Sequence, residues 1–87
     1  MIYGEFMKIN DDKNLYFLIG TNIKFFRKKS NLTQLQLADS VKISLSYLSK
    51  LEASKCNKSV SISTLNHIAN ALSVDIREFF VYHSMEE

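Results

Sequence analysis

Between residues 24 and 58 the chain carries eight basic side chains, Lys24, Arg27, Lys28, Lys29, Lys42, Lys50, Lys55 and Lys58, against two acids, Asp39 and Glu52. That segment has a charge of +6, whereas the remainder, with Lys8, Lys13 and Arg77 against seven acids, has −4. The net charge of +2 therefore hides a strong asymmetry, the pattern expected when one side faces a polyanion and the other faces solvent. Residues suited to covalent or metal chemistry are scarce. His67 has no carboxylate four residues to either side, and His83 stands in the tail. Neither has a Ser, Cys or Asp at motif spacing, and there is no glycine-rich phosphate loop. Cys56 is the lone cysteine, so no disulfide or Cys-based metal cluster forms within one chain, and it reads as a buried or bland surface thiol. The expectation is a binding protein, with no enzyme activity, metal or cofactor.

Positioning these groups falls to helices. Of the 87 residues 46% are apolar, none is proline and two are glycine, so no strong breaker interrupts the patterned segments. This length predicts one domain with a modest core and no separate small-molecule effector domain. The longest apolar run, residues 15–19, is far too short to span a membrane, and no signal peptide with a small-residue cleavage site is visible. A cytoplasmic protein without a membrane partner is expected.

Residues 33–52 contain two short amphipathic patterns joined by a tight corner. In the first, Leu37, Ala38 and Val41 share one helix face while Gln34, Gln36 and Asp39 point elsewhere. Thr33 and Gln36 have the spacing of a capping box, which satisfies two backbone donors that a helix start leaves orphaned. The second pattern begins at Ser44, a good N-cap, and places Leu48 and Leu51 on its inner side. Only Lys42 and Ile43 lie between, with Ile43 apolar enough to plug the corner.

This arrangement resembles the helix-turn-helix of the phage Cro and repressor type, the XRE-like family, including its restriction-modification controllers and small phage-type repressors. Gln34 opens the first helix, Ala38 stands where the two helices cross closely, Ile43 follows the turn, and Leu48 and Leu51 hold the second helix. Lys42 departs from the family's usual glycine at a left-handed turn position. The segment with Ile19, Gly20, Ile23, Phe26 and Arg27 is similar to the family's first helix, and residues 65–74 are similar to its fourth. The resemblance covers residues 15–80.

Taken in order, residues 1–14 read as an N-terminal arm, either a short strand or a segment packed on the body, with Asn10, Asp11 and Asp12 as a break. A helix is predicted over 15–29, with Asn14 as cap and Ile19, Ile23 and Phe26 in one buried stripe; Tyr16, Phe17 and Phe25 lie off it and should cover the arm or a neighbouring helix. After a polar loop over 53–59, Ser61 caps a fourth helix with Ile62, Leu65, Ile68, Ala69 and Leu72 facing inward. Asp75 and Glu78 suggest a second capping box that opens a fifth helix through Ile76, Phe79 and Phe80. The expected fold is all-α, a five-helix repressor-like DNA-binding domain over 15–83 with its helix-turn-helix at helices 2 and 3 and a tail at 84–87.

The resemblance implies roles for particular residues. Leu45, Ser46, Ser49 and Lys50 take the base-facing positions of a helix lying in the major groove of double-stranded DNA. Lysine can donate to guanine O6 and N7, serine can pair with several bases, and Leu45 can touch a thymine methyl. Thr33 and Gln34, at a helix start, suit a phosphate, with Tyr47, Lys55 and Lys58 as further backbone contacts. Arg27 and Glu52 match an arginine–glutamate pair that orients the recognition helix in the family. Phe79 and Phe80 are adjacent, so a helix cannot turn both inward; with Ile76, Val81 and Tyr82 they suggest a homodimer interface. The functional expectation is a sequence-specific transcriptional regulator acting as a dimer on a palindromic operator. The alternative is a protein-interaction module of the same fold, a partner regulator or antitoxin component.

Overall fold

The structure, a computed structural model, describes residues 11–53 and 60–83. Residues 1–10 of the expected arm over 1–14, residues 54–59 with Lys55, Cys56 and Lys58, and the expected tail 84–87 lie outside the described residues. Four α-helices and a short 3-10 helix make up the described chain: α1 Asp12–Lys29, α2 Gln34–Val41, α3 Leu45–Glu52, α4 Ile62–Leu72, and the 3-10 helix Ile76–Phe80.

Helix α1 starts three residues before the apolar pattern does, and its cap is Asp11 rather than Asn14. The Asp11 carboxylate accepts from the Lys13 and Asn14 backbone N–H groups at 2.8 and 3.3 Å. A negative charge there also complements the positive end of the helix dipole. Asp11 and Asp12, read above as part of a break, instead cap and open the helix, so the last residues of the expected arm over 1–14 belong to α1. At the other end Arg27, Lys28 and Lys29 occupy the last turn, and Asn31 adopts a left-handed φ of 60°.

The corner between α2 and α3 forms as expected. Thr33 Oγ1 accepts from Gln36 N at 3.0 Å while Gln36 Oε1 accepts from Thr33 N at 2.8 Å, completing the capping box. Lys42 is left-handed, with φ 63° and ψ 40°, a conformation that costs a non-glycine residue about 1–2 kcal/mol. Its backbone N–H and that of Ile43 return to Asp39 O and Ala38 O, so the reversal leaves neither donor orphaned. Ser44 Oγ then caps α3 by accepting from Tyr47 N at 3.0 Å.

The later elements depart from expectation in two places. Ser61 caps α4, and Leu65, Ile68, Ala69 and Leu72 are buried, but Ile62 is 68% exposed because its first-turn position lies beyond the stripe that the neighbouring helices cover. The fifth element is a 3-10 helix, and its capping box does not form. Asp75 accepts instead from Arg77, at the backbone N–H and at both Nε and Nη2 of the guanidinium. These bonds hold the Asp75 carboxyl below its usual range. Five residues suit the tighter i→i+3 pattern, seen here in the bond from Glu78 N to Asp75 O at 2.9 Å.

The core is built from Ile19 and Ile23 of α1, Leu37 and Ala38 of α2, Leu48 and Leu51 of α3, the inner stripe of α4, and Phe79. Helix α1 packs against α3, α4 and the 3-10 helix, while α2 packs against α3 and α4. Ala38 is fully buried, consistent with a crossing that admits only a small side chain. Of the aromatics off the α1 stripe, Tyr16 packs on the core and Phe25 meets Phe26 edge-on at 5.1 Å, with Lys29 Nζ 5.6 Å from the Phe25 ring centre. Phe17 is exposed.

Candidate nucleic-acid interface

Burial of Leu48 and Leu51 fixes the rotation of α3 about its own axis. Leu45, Ser46 and Lys50 therefore face outward, Ser49 is half-buried, and half-buried Tyr47 packs in part on the core. The outer face of α3 thus offers a short apolar contact, hydroxyl groups and one cation. That set can touch base edges in a groove, whereas it lacks any nucleophile–base pair.

What holds α3 in place is a buried polar network. Arg27 Nε donates to Glu52 Oε2 at 2.7 Å and Nη2 donates to Oε1 at 3.0 Å, a bidentate pair linking α1 to the end of α3. Both residues are buried, 8% and 6% exposed. Arg27 Nη1 donates to the Leu32 carbonyl at 2.7 Å, which fastens the α1–α2 connection as well. Gln34 Nε2 donates to Glu52 Oε1 at 3.0 Å, so α2 joins the same carboxylate. Charge-assisted bonds of this kind are short and directional, and here one glutamate sets the mutual orientation of three helices. The arginine–glutamate pair was legible from residue types at matching positions. The share taken by Gln34 was not, since an amide at a helix start reads equally well as a phosphate ligand; its backbone N–H remains at the N-terminus of α2.

Thr33 is exposed and its hydroxyl is occupied as an acceptor in the capping box. Lys42 at the corner is also exposed. The helix-turn-helix thus gathers Thr33, Gln34, Lys42, Leu45, Ser46 and Lys50 within two short helices and their corner. Among the described residues no group of three or more His, Cys, Asp or Glu side chains is placed to hold a metal ion. No described helix is long and apolar enough to cross a membrane.

The C-terminal surface differs from the sequence expectation. Phe79 is 0% exposed and lies 6.4 Å from the Phe26 ring centre, so it closes the core and leaves the suggested interface. Ile76 is half-buried against the core. Phe80, Val81 and Tyr82 remain exposed, Tyr82 at 84%. Two residues that the sequence did not single out for this task hold the segment. Buried Asn22 of α1 donates from Nδ2 to Phe79 O at 3.0 Å and to Val81 O at 2.8 Å, while its Oδ1 meets no donor among the described residues. The His83 ring stacks on Phe25 at 6.0 Å and meets Phe26 edge-on at 5.2 Å. His83 Nε2 lies 3.0 Å from the Glu78 carbonyl and 3.1 Å from its carboxylate; both are acceptors, so the hydrogen resides on Nε2. Asn22 interrupts an otherwise apolar α1 face two turns long, which was the available signal.

A capped helix, a left-handed corner, and a second helix buried on one side and polar on the other, braced by α1, define a helix-turn-helix unit. A helix-turn-helix family model matches residues 23–79, and the chain belongs to this family, in its phage-repressor or XRE-like branch. The chain is 41% identical over 58 residues to the immunity repressor protein of Bacillus phage phi105, a match covering 67% of this chain and 39% of that relative. It thus spans about two-fifths of that relative's length. Among solved structures, the clp gene regulator ClgR from Corynebacterium glutamicum superposes with a TM-score of 0.70 at 29% identity, covering 75% of this chain and 67% of that one. A hypothetical transcription factor, NHTF from Neisseria, superposes with a TM-score of 0.72 at 23% identity, covering 86% and 84%, and shares the fold.

Proposed function

We propose that the protein is a cytoplasmic transcriptional regulator that binds double-stranded DNA in a sequence-specific manner, as a dimer on a palindromic operator. The observation that carries this reading is the outward face of α3, Leu45, Ser46 and Lys50 with half-buried Ser49 beside them, on a helix braced through Glu52. A helix fits the major groove, where lysine and serine donate to base edges and a leucine meets a thymine methyl. Thr33 and the Gln34 backbone N–H at the start of α2, and Tyr47 in the first turn of α3, serve the phosphates, with Lys55 and Lys58, outside the described residues, as further backbone contacts. The likeness to a phage immunity repressor and to a gene regulator supports the assignment. No bidentate Asn, Gln or Arg stands on the outer face of α3, so one copy reads few bases, and two half-sites a helical turn apart add their free energies. The copies meet through Phe80 and Tyr82, with Val81 between them and Ile76 at the margin.

Selection of bound duplexes from a random library, followed by a salt titration, tests the reading. Binding should weaken steeply as salt rises, because displaced counterions accompany each phosphate contact. On the selected duplex Lys50→Ala and Ser46→Ala should each lose about 1–3 kcal/mol, while random duplexes bind as before. Equal losses on both kinds of DNA would remove α3 from base recognition. Absence of any salt-sensitive duplex affinity would favour a protein-interaction module instead.

A further inference from the structure

Asn22 is an amide in the buried face of α1, and both groups it donates to belong to the C-terminal segment. Because its neighbours Phe79 O and Val81 O are both acceptors, the NH2 group must face them, which leaves Oδ1 buried without a donor among the described residues. A helix position that only filled the core would be served better by an apolar side chain. What Asn22 does is fix the backbone on one side of the exposed residues Phe80 and Tyr82, and His83 fixes it on the other through Phe25, Phe26 and Glu78. The backbone beneath those outward side chains is thereby held at both ends, which lowers the ordering cost of an association there.

Five residues along the same helix, about 7.5 Å at 1.5 Å per residue, Arg27 grips the end of α3. One rigid element therefore holds the C-terminal surface by Asn22 and the recognition helix by Arg27. We propose that Asn22 is a positioning residue that fixes the separation of the two recognition helices, and hence the half-site spacing the dimer accepts. This rests on the dimer reading above, with a second copy of the chain as the occupant of the C-terminal surface. Two observations support that occupant. The 3-10 helix packs on α1 and α4, so a copy seated there leaves both α3 helices free for DNA. Arg77 and Glu78, which border the apolar residues, already meet Asp75 and His83 within the chain, so a second copy seated on Phe80, Val81 and Tyr82 need not strand either charge.

The test uses the selected duplex, the same duplex cut to one half-site, and a series in which the half-sites are moved apart one base pair at a time. The native chain should prefer paired half-sites at one spacing. Asn22→Ser, too short to reach both carbonyls, should lose about ten-fold of that preference and accept neighbouring spacings, with binding to the single half-site unchanged. A general loss of fold would instead weaken the single half-site equally. His83→Ala loosens the other end of the same segment from a part-exposed position and should broaden the spacing profile likewise, so the test survives if Asn22→Ser does not fold. A native spacing profile in a folded variant of either kind overturns the inference. If the native chain itself shows no preference for paired half-sites, the dimer reading fails, which is a different result from an unchanged profile.

Discussion

Replacing Glu52 by alanine should destabilise the folded protein by about 3–5 kcal/mol, because it strands the Arg27 guanidinium in a buried site. Of the Arg27 partners among the described residues, the Leu32 carbonyl alone would remain, and the Gln34 amide would lose its acceptor too. A large loss here does not mean that the ion pair itself adds that much stability. Desolvating both charges offsets most of their attraction, so a joint replacement such as Arg27→Met with Glu52→Leu should recover much of the difference. Chemical denaturation of Arg27→Met, Glu52→Leu and the double variant gives the coupling, expected at about 3 kcal/mol in magnitude or more, the upper end for residues in contact. Additive effects would show that the two side chains do not act together. The joint replacement should also bind DNA less well at equal stability, since apolar contact lacks the directional bonds that aim α3.

The second large effect is expected at Phe79. Phe79→Ala should cost about 3–5 kcal/mol, the range for truncating a fully buried aromatic, since the ring packs against Phe26 and closes the core between α1 and α4. Phe80→Ala, one residue on and 39% exposed, should stay within about 1 kcal/mol in the monomer. Urea denaturation at a dilution that suppresses association separates the two. Similar losses at both positions would mean that the 3-10 helix is rotated from the orientation described.

Much of this was legible in the sequence because it depends on local chemistry. The Thr33–Gln36 capping box, the Ser44 and Ser61 caps, and the inner positions of α2, α3 and, Ile62 apart, α4 follow from side-chain reach and the 3.6-residue period. Helix α1 was misjudged at its start because an apolar pattern cannot register a polar first turn, although Asp11 marks one. The 3-10 helix was misjudged because Asp75 has two candidate partners, Glu78 N and Arg77, and spacing alone does not rank them. Adjacency showed that Phe79 and Phe80 must diverge, but which one turns inward depends on where α1 and α4 lie. The Gln34 bond to Glu52 and the Asn22 clamp span 18 and 59 residues of chain, separations that no local pattern encodes. The base-facing assignment of Leu45, Ser46, Ser49 and Lys50 came from resemblance, and the burial of Leu48 and Leu51 independently turns three of the four outward.

The central claim, that α3 enters the major groove, is tested most directly by following backbone amide resonances of the isotopically labelled protein as the selected duplex is added. The largest shifts should map to Thr33, Gln34, and the α3 residues Leu45, Ser46, Ser49 and Lys50, with the buried Leu65 and Ile68 of α4 little changed. Shifts that centre on Phe80, Val81 and Tyr82 while α3 stays still would contradict it.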